Sequence, residues 1–208
     1  MKIISHRGYW KNHSEKNKKI SFDRSFELGF GIETDIRDHM GRLVISHDVP
    51  TGSESDMSEL VSLFKGNNLL LALNVKSDGL APLIKEMMGG RDPSSWFVFD
   101  MSIPDMRCHL KLGNPVFARM SEVESYPPWF DTVSGIWLDS FDRDWYKIDL
   151  IQDLLTQGKR VCIVSPELHG RDPANLWTEL LPIAENNSLI LCTDTPEYAH
   201  YFFCESIK

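Results

Sequence analysis

Gly31-Ile32-Glu33-Thr34-Asp35-Ile36 is an apolar run that carries two carboxylates two residues apart. On an extended strand, residues i and i+2 point to the same face. Glu33 and Asp35 therefore converge on one point and concentrate negative charge there. Either a divalent cation or a salt bridge with Arg37 or Lys76 would relieve it. Hard oxygen donors with no cysteine or histidine inside the pair suit Mg2+ or Ca2+ rather than zinc.

Apolar runs of the same kind recur at residues 2–5, 31–36, 69–75, 96–99, 115–118, 135–138, 160–164 and 189–192. Stretches of helical spacing lie between most of them, such as those at 80–88, 148–157 and 175–185, closed by Gly89, Gly158 and Asn186. Eight alternating units predict an α/β fold, a minimal (β/α)8 TIM barrel built as a single domain over residues 1–208. A further run at 43–46 follows the turn Asp38-His39-Met40-Gly41 and reads as a hairpin return beside the second strand. Barrels of this kind build their sites at the C-terminal ends of their strands. Here those ends carry His6, Glu33 with Asp35, Asn74 with Lys76, Asp100, Arg119, Asp139, Glu167 and Asp194.

Two histidines stand where strands give way to loops. His6 follows the first run and precedes Arg7-Gly8, and His47 follows residues 43–46 and precedes Asp48. Such a pair fits a general base and a general acid. Gly8 permits close backbone approach to a ligand, and the Arg7 guanidinium can grip a phosphate through two parallel hydrogen bonds.

Taken together, the H-R-G, E-x-D and H-D elements at these separations resemble the glycerophosphodiester phosphodiesterase family, part of the phospholipase C-like phosphodiesterase superfamily. Glu15-Lys-Asn17 sits where that family has its E-N element, and residues 21–29 match its following helix. Residues 71–76 line up with its L-x-I-E-I-K strand and Thr193-Asp194-Thr195-Pro196 with its terminal T-D-x-P. The first eighty residues carry most of the match. The resemblance implies a TIM barrel, His6 as base and His47 as acid, and Lys76 near the substrate phosphate. It also implies a metal ligand at position 74, where this chain has Asn74 in place of the family's glutamate. An amide oxygen can coordinate a hard cation, but it brings one negative charge fewer. Residues 47–57 leave no room for the cap insertion that many relatives carry, so a more open site is expected.

The expected activity is therefore cleavage of a glycerophosphodiester-like phosphodiester, assisted by Mg2+ or Ca2+ at Glu33, Asp35 and Asn74. Arg7 and Lys76 are the candidate phosphate contacts. Three alternatives stand beside it. A neighbouring substrate hydroxyl can replace water and give a cyclic phosphate, as in lyases of the superfamily. The chain can instead bind a phosphorylated ligand without turnover, its metal site weakened at Asn74. An unrelated barrel hydrolase would require paired metal histidines, which this chain lacks.

Beyond the seventh run, Pro166-Glu167-Leu168-His169-Gly170-Arg171 places a carboxylate, an imidazole and a guanidinium together. Glu167 and His169 are candidates for substrate contact, the alternative being a capping loop before the next helix. His13, His39, His109 and His200 read as bystanders. Trp10, Trp137 and Trp145 could line an apolar wall, with core burial favoured for Trp137.

Composition adds limits. With 208 residues, 42% of them hydrophobic and 25% charged, the chain is an ordinary globular one. A net charge of -8 argues against a broad nucleic-acid surface and makes a bound cation useful for attracting a phosphate. Cys108, Cys162, Cys192 and Cys204 form no C-x-x-C motif, so free thiols in a reducing compartment are expected and a zinc site is not. The opening residues run straight into the H-R-G motif, and no apolar run reaches membrane-spanning length. A small-molecule substrate, a cytoplasmic location and no membrane span are the corresponding expectations.

Overall fold

The structure, a computed structural model, describes residues 1–64 and 68–205. In chain order these residues form β1 (Lys2–His6), α1 (Lys19–Glu27), β2 (Gly31–His39), β3 (Arg42–Ile45), α2 (Met57–Leu63) and β4 (Leu71–Val75). There follow α3 (Ala81–Met87), β5 (Trp96–Phe99), α4 (Ile103–Lys111), β6 (Phe117–Met120) and β7 (Gly135–Leu138). The chain closes with α5 (Ile148–Thr156), β8 (Arg160–Val164), α6 (Ala174–Leu180), β9 (Leu189–Thr193) and α7 (Pro196–Glu205). Apart from β3, which runs antiparallel to β2 as the hairpin reading expects, the strands pair in parallel. Eight parallel strands alternating with helices are the content of a minimal (β/α)8 barrel.

The chain divides into two compact units. One comprises Met1–Ser5 and the chain from Phe117 on, with strand order β1-β9-β8-β7-β6. Its strands are apolar on both faces, as expected of a sheet covered by helices: Ile136, Leu138, Val161, Ile163, Ile190 and Cys192 are all fully buried. Trp177 of α6 packs its ring against Tyr198, Phe202 and Phe203 of α7. The other unit spans His6–Val116 and orders its strands β5-β4-β2, with β3 on β2. Every residue of β4 and of β5 is buried.

Several element boundaries move from their sequence positions, each for a local reason. β6 begins at Phe117 rather than 115, because Pro115 has no N–H for a ladder and contributes only its carbonyl, to Val98. The shift places Arg119 inside the strand. α6 stops at Leu180, where Pro182 cannot donate, and a tighter turn over Leu181–Ile183 completes the stretch. Gly158 ends α5 at φ +79, as expected, whereas the left-handed residue after α3 is Gly90 (φ +83) and not Gly89. Between β6 and β7, residues 121–134 hold turns and no helix. The pair Pro127-Pro128 sits in the middle of that connection.

Candidate functional site

Within the His6–Val116 unit, β2 and β4 run in parallel register with Asp35 opposite Asn74 and Ile36 opposite Val75. The alternation of β2 sends Glu33 and Asp35 to one side, and both are buried, at 1% and 0% exposure. His6 lies near enough to Glu33 to act on its charge, and the chain then turns sharply, with Arg7 at φ 56 and Gly8 at φ 79. That turn points the Arg7 backbone N–H at Glu33 Oε2, 3.1 Å away. It also sets the Arg7 guanidinium Nε 3.0 Å from Asp35 Oδ2. From the other side, Lys76 Nζ approaches Asp35 Oδ1 to 3.4 Å.

Asn17 holds this arrangement together. Its own φ is 58, its backbone N–H donates to the Arg7 carbonyl at 2.9 Å, and its amide donates to Asp35 Oδ2 at 2.8 Å. Thr34 donates to the Asn17 Oδ1 at 2.8 Å. The sequence marked Asn17 only through the family's E-N element; its direct bond to Asp35 is visible only in the fold.

Two buried oxygens at this point accept no hydrogen bond, Asn74 Oδ1 and Asp35 Oδ1. Burial pushes the Glu33 carboxyl up to about 7, the adjacent Asp35 charge adds to the rise, and His6, Arg7 and Lys76 pull the other way. An orphaned amide oxygen beside two carboxylates, in a place where negative charge is costly, fits a hard divalent cation. Among the described residues no group of three or more His, Cys, Asp or Glu side chains is gathered for a metal. The donor set here is two acids and an amide. Of the two expected salt-bridge partners, Lys76 contacts Asp35 whereas Arg37 donates to the His47 carbonyl, and Arg7 takes the other contact with Asp35.

The candidate histidines differ in setting. His6 is half-buried at the end of β1, near enough to Glu33 to influence its charge. His47 lies on the exposed segment after β3, its Nδ1 2.9 Å from Asp48 Oδ1. Arg37 of β2 donates to the His47 carbonyl at 3.1 Å and ties that segment to the strand. The structure thus gathers His6, Arg7, Glu33, Asp35, Asn74 and Lys76, and leaves the His47 ring 45% exposed.

In the other unit, Glu167 accepts from Thr193 Oγ1 at 2.5 Å, from the Asp194 N–H at 3.2 Å and from Ser165 Oγ. It stitches the turn after β8 to the end of β9. His169 Nε2 lies 2.8 Å from Asp139 Oδ1, and Arg119 Nη1 donates to Asp139 Oδ2 at 3.3 Å. Trp137 is buried, as its core reading expects, and the Trp145 indole donates to the Asp139 carbonyl at 2.7 Å.

No family model matches the chain. No curated protein matches it either. Solved structures do. A glycerophosphoryl diester phosphodiesterase from Agrobacterium tumefaciens str. C58 superimposes with a TM-score of 0.74 at 13% identity, covering 100% of this chain and 98% of that one. A glycerophosphodiester phosphodiesterase from the same organism gives 0.69 at 16% identity, covering 98% and 99%. A dihydropteroate synthetase gives 0.54 at 12% identity, covering 99% and 92%. Since one scaffold carries such different chemistries, similarity at this identity speaks for the fold and leaves the reaction to the residues. The chain folds as a (β/α)8 barrel of the kind seen in glycerophosphodiester phosphodiesterases, the family that its H-R-G, E-x-D and H-D elements resemble.

Proposed function

We propose that this chain is a metal-dependent phosphodiesterase acting on a glycerophosphodiester-like substrate, with His6 as general base and His47 as general acid. The observation that carries the proposal is the buried Glu33–Asp35 pair, contacted by Arg7 and Lys76 and bordered by the unpartnered amide oxygen of Asn74. The names of the two Agrobacterium tumefaciens structures support the same class.

Glu33, Asp35 and Asn74 would hold Mg2+ or Ca2+. When bound, the ion supplies Lewis-acid polarisation of a non-bridging phosphate oxygen. Arg7 and Lys76 offset charge developing on the phosphate. His6 takes the proton of the nucleophile, and His47, steadied by Asp48, returns one to the departing alkoxide. Water as nucleophile gives a phosphomonoester and an alcohol, and a neighbouring substrate hydroxyl gives a cyclic phosphate. Phosphorus NMR of the product separates the two.

The test is turnover of a nitrophenyl phosphodiester and of a glycerophosphodiester with Mg2+ or Ca2+, abolished by EDTA. His6→Ala and His47→Ala should each lower the rate by ~10² to 10⁴. Activity retained by both variants would remove the acid–base assignment. A second reading, a phospho-ligand binder without turnover, draws on Arg7 and Lys76 already countering Asp35 with the protein's own charges. Under it, phosphate esters bind with or without EDTA and none is cleaved. A small-molecule substrate and a cytoplasmic location belong to the same proposal; no helix among the described residues is long and apolar enough to cross a membrane.

A further inference from the structure

We propose that His200 and Cys204, on the outer face of α7, form a chelating pair for a zinc-class divalent ion, a site apart from the one at Glu33 and Asp35. The two residues are four apart, and on a helix i and i+4 lie one above the other on the same face. α7 turns its other side inward. Ala199 and Phe203 are 0% and 5% exposed, and the Trp177 ring packs on Phe202 and Phe203. That packing sends His200 and Cys204 to solvent, where an ion can reach both.

Their separation is the one a metal requires. Cys204 Sγ stands 3.7 Å from His200 Nε2 and 3.8 Å from His200 Nδ1. Zinc bonds of about 2.3 Å to sulfur and about 2.0 Å to nitrogen, held at a tetrahedral angle, put the two donor atoms about 3.6 Å apart. Both ring nitrogens lie at nearly the same range, so rotation of the ring aims one of them at the ion. Without a metal, a thiol and an imidazole share only a weak hydrogen bond. With one, the thiol proton leaves to solvent and a sulfur–metal bond takes its place.

Donor type selects the ion. Thiolate sulfur and imidazole nitrogen favour zinc and its neighbours, whereas Mg2+ and Ca2+ take oxygen. The place on the helix favours a metal ligand over a reactive thiol. Activated cysteines sit at helix N-termini or beside cations. Cys204 is instead near the end of α7, whose last turn holds no basic side chain and whose partial negative charge attracts a cation. Glu197, exposed one turn before His200, adds a carboxylate to the same side. No third His, Cys, Asp or Glu among the described residues is gathered with the pair, so water takes the remaining positions on the ion. Affinity in the micromolar range is therefore expected, short of a closed four-ligand zinc site. A C-x-x-C pattern does not capture such a pair, because its partner for sulfur is a histidine one helical turn away. Cys108, also exposed, has Pro104 and Leu112 at the corresponding positions.

The test uses the full chain, kept reduced, and reads the thiolate directly. Co2+ is the probe, because a cobalt–thiolate bond gives a charge-transfer absorption that oxygen and nitrogen ligands do not. That absorption is expected in the parent protein, with release of a proton as the thiol ionises. Zn2+ should displace the cobalt and remove the absorption, and a large excess of Mg2+ should not. Cys204→Ser should abolish it, His200→Ala should weaken Co2+ binding by about 10- to 100-fold, and Cys108→Ser should change nothing. No charge-transfer absorption in the parent, absorption that survives in Cys204→Ser, or a His200→Ala variant that binds Co2+ as tightly as the parent would overturn the proposal. Glu33→Gln should keep the absorption in full, so the result is read independently of whether the chain cleaves a phosphodiester.

Discussion

Asn74 sits across from Asp35 on the neighbouring strand, and under the proposed function its amide sets how much charge the site can offer a cation. Replacing it with glutamate, Asn74→Glu, adds a third carboxylate to a place where burial already drives the Glu33 carboxyl up. Mg2+ affinity measured by calorimetry should rise by about tenfold or more, because affinity at hard-ion sites follows the ligand charge count. The metal-free protein should melt at a lower temperature, because three buried acids repel one another. An unchanged affinity would show that position 74 does not face the ion. Gly8 decides a different matter, the turn that delivers Arg7. At φ +79, a Cβ there would stand 2.4 Å from Ser21 Oγ and 2.8 Å from Ser21 Cβ. Gly8→Ala should therefore cost about 2–4 kcal/mol in urea unfolding, through both strain and overlap with α1. Much of the metal affinity should go with it, because the Arg7 N–H no longer reaches Glu33.

At the scale of elements, the connection after β8 tests two readings of one carboxylate. Glu167 accepts from Ser165, Thr193 and the Asp194 N–H, a full set of partners that ties β8 to β9. Glu167→Gln loses charge-assisted bonds and should cost about 1–3 kcal/mol of stability while leaving turnover and metal affinity unchanged. A fall in turnover without a fall in stability would instead make Glu167 a substrate contact. β7 supplies a steric counterpart. Gly135 opens it with a Cβ position 2.5 Å from Phe117 Cζ and 2.6 Å from the Arg160 carbonyl, so both flanking strands press on it. Gly135→Ala should destabilise by about 1–3 kcal/mol in the same measurement. The apolar run 135–138 marked the strand, but the need for glycine there comes from Phe117 and Arg160, far off in sequence. The same division runs through the rest of the chain. Strand runs and the E-x-D spacing were legible because a period of two places both acids on one face from local sequence alone. Asn17 on Asp35 and Asp139 on His169 were not, because each depends on which distant segment arrives beside it. Pro115 and Pro182 moved element ends by removing N–H donors, a signal present in the sequence but outweighed by the apolar pattern around it.

For the molecule as a whole, fold and chemistry come from different residues: a scaffold shared at 12–16% identity with structures of different named activities, and a small set of buried polar groups around Glu33 and Asp35. The most global consequence that the proposed function draws from that set is a coupling between pH, metal and stability. Glu33 holds its proton up to about 7 in the folded protein, against 4.5 for an ordinary glutamate. Between these values the unfolded chain has released the proton and the folded chain keeps it. Without a divalent ion, stability from this group is complete below pH 4.5 and is lost as pH rises through about 7. Under the proposed function Mg2+ or Ca2+ would need the carboxylate, so the ion should compete with that proton and stabilise the fold more as pH rises over the same window. Thermal melts in EDTA and in saturating Mg2+ should therefore diverge, with a small increment near about pH 5 and a larger one near about pH 8. In Glu33→Gln the acid-side slope should flatten in EDTA and the Mg2+ increment should shrink at every pH. A Mg2+ increment that is the same at both pH values, or that survives in Glu33→Gln, would place the ion elsewhere in the protein.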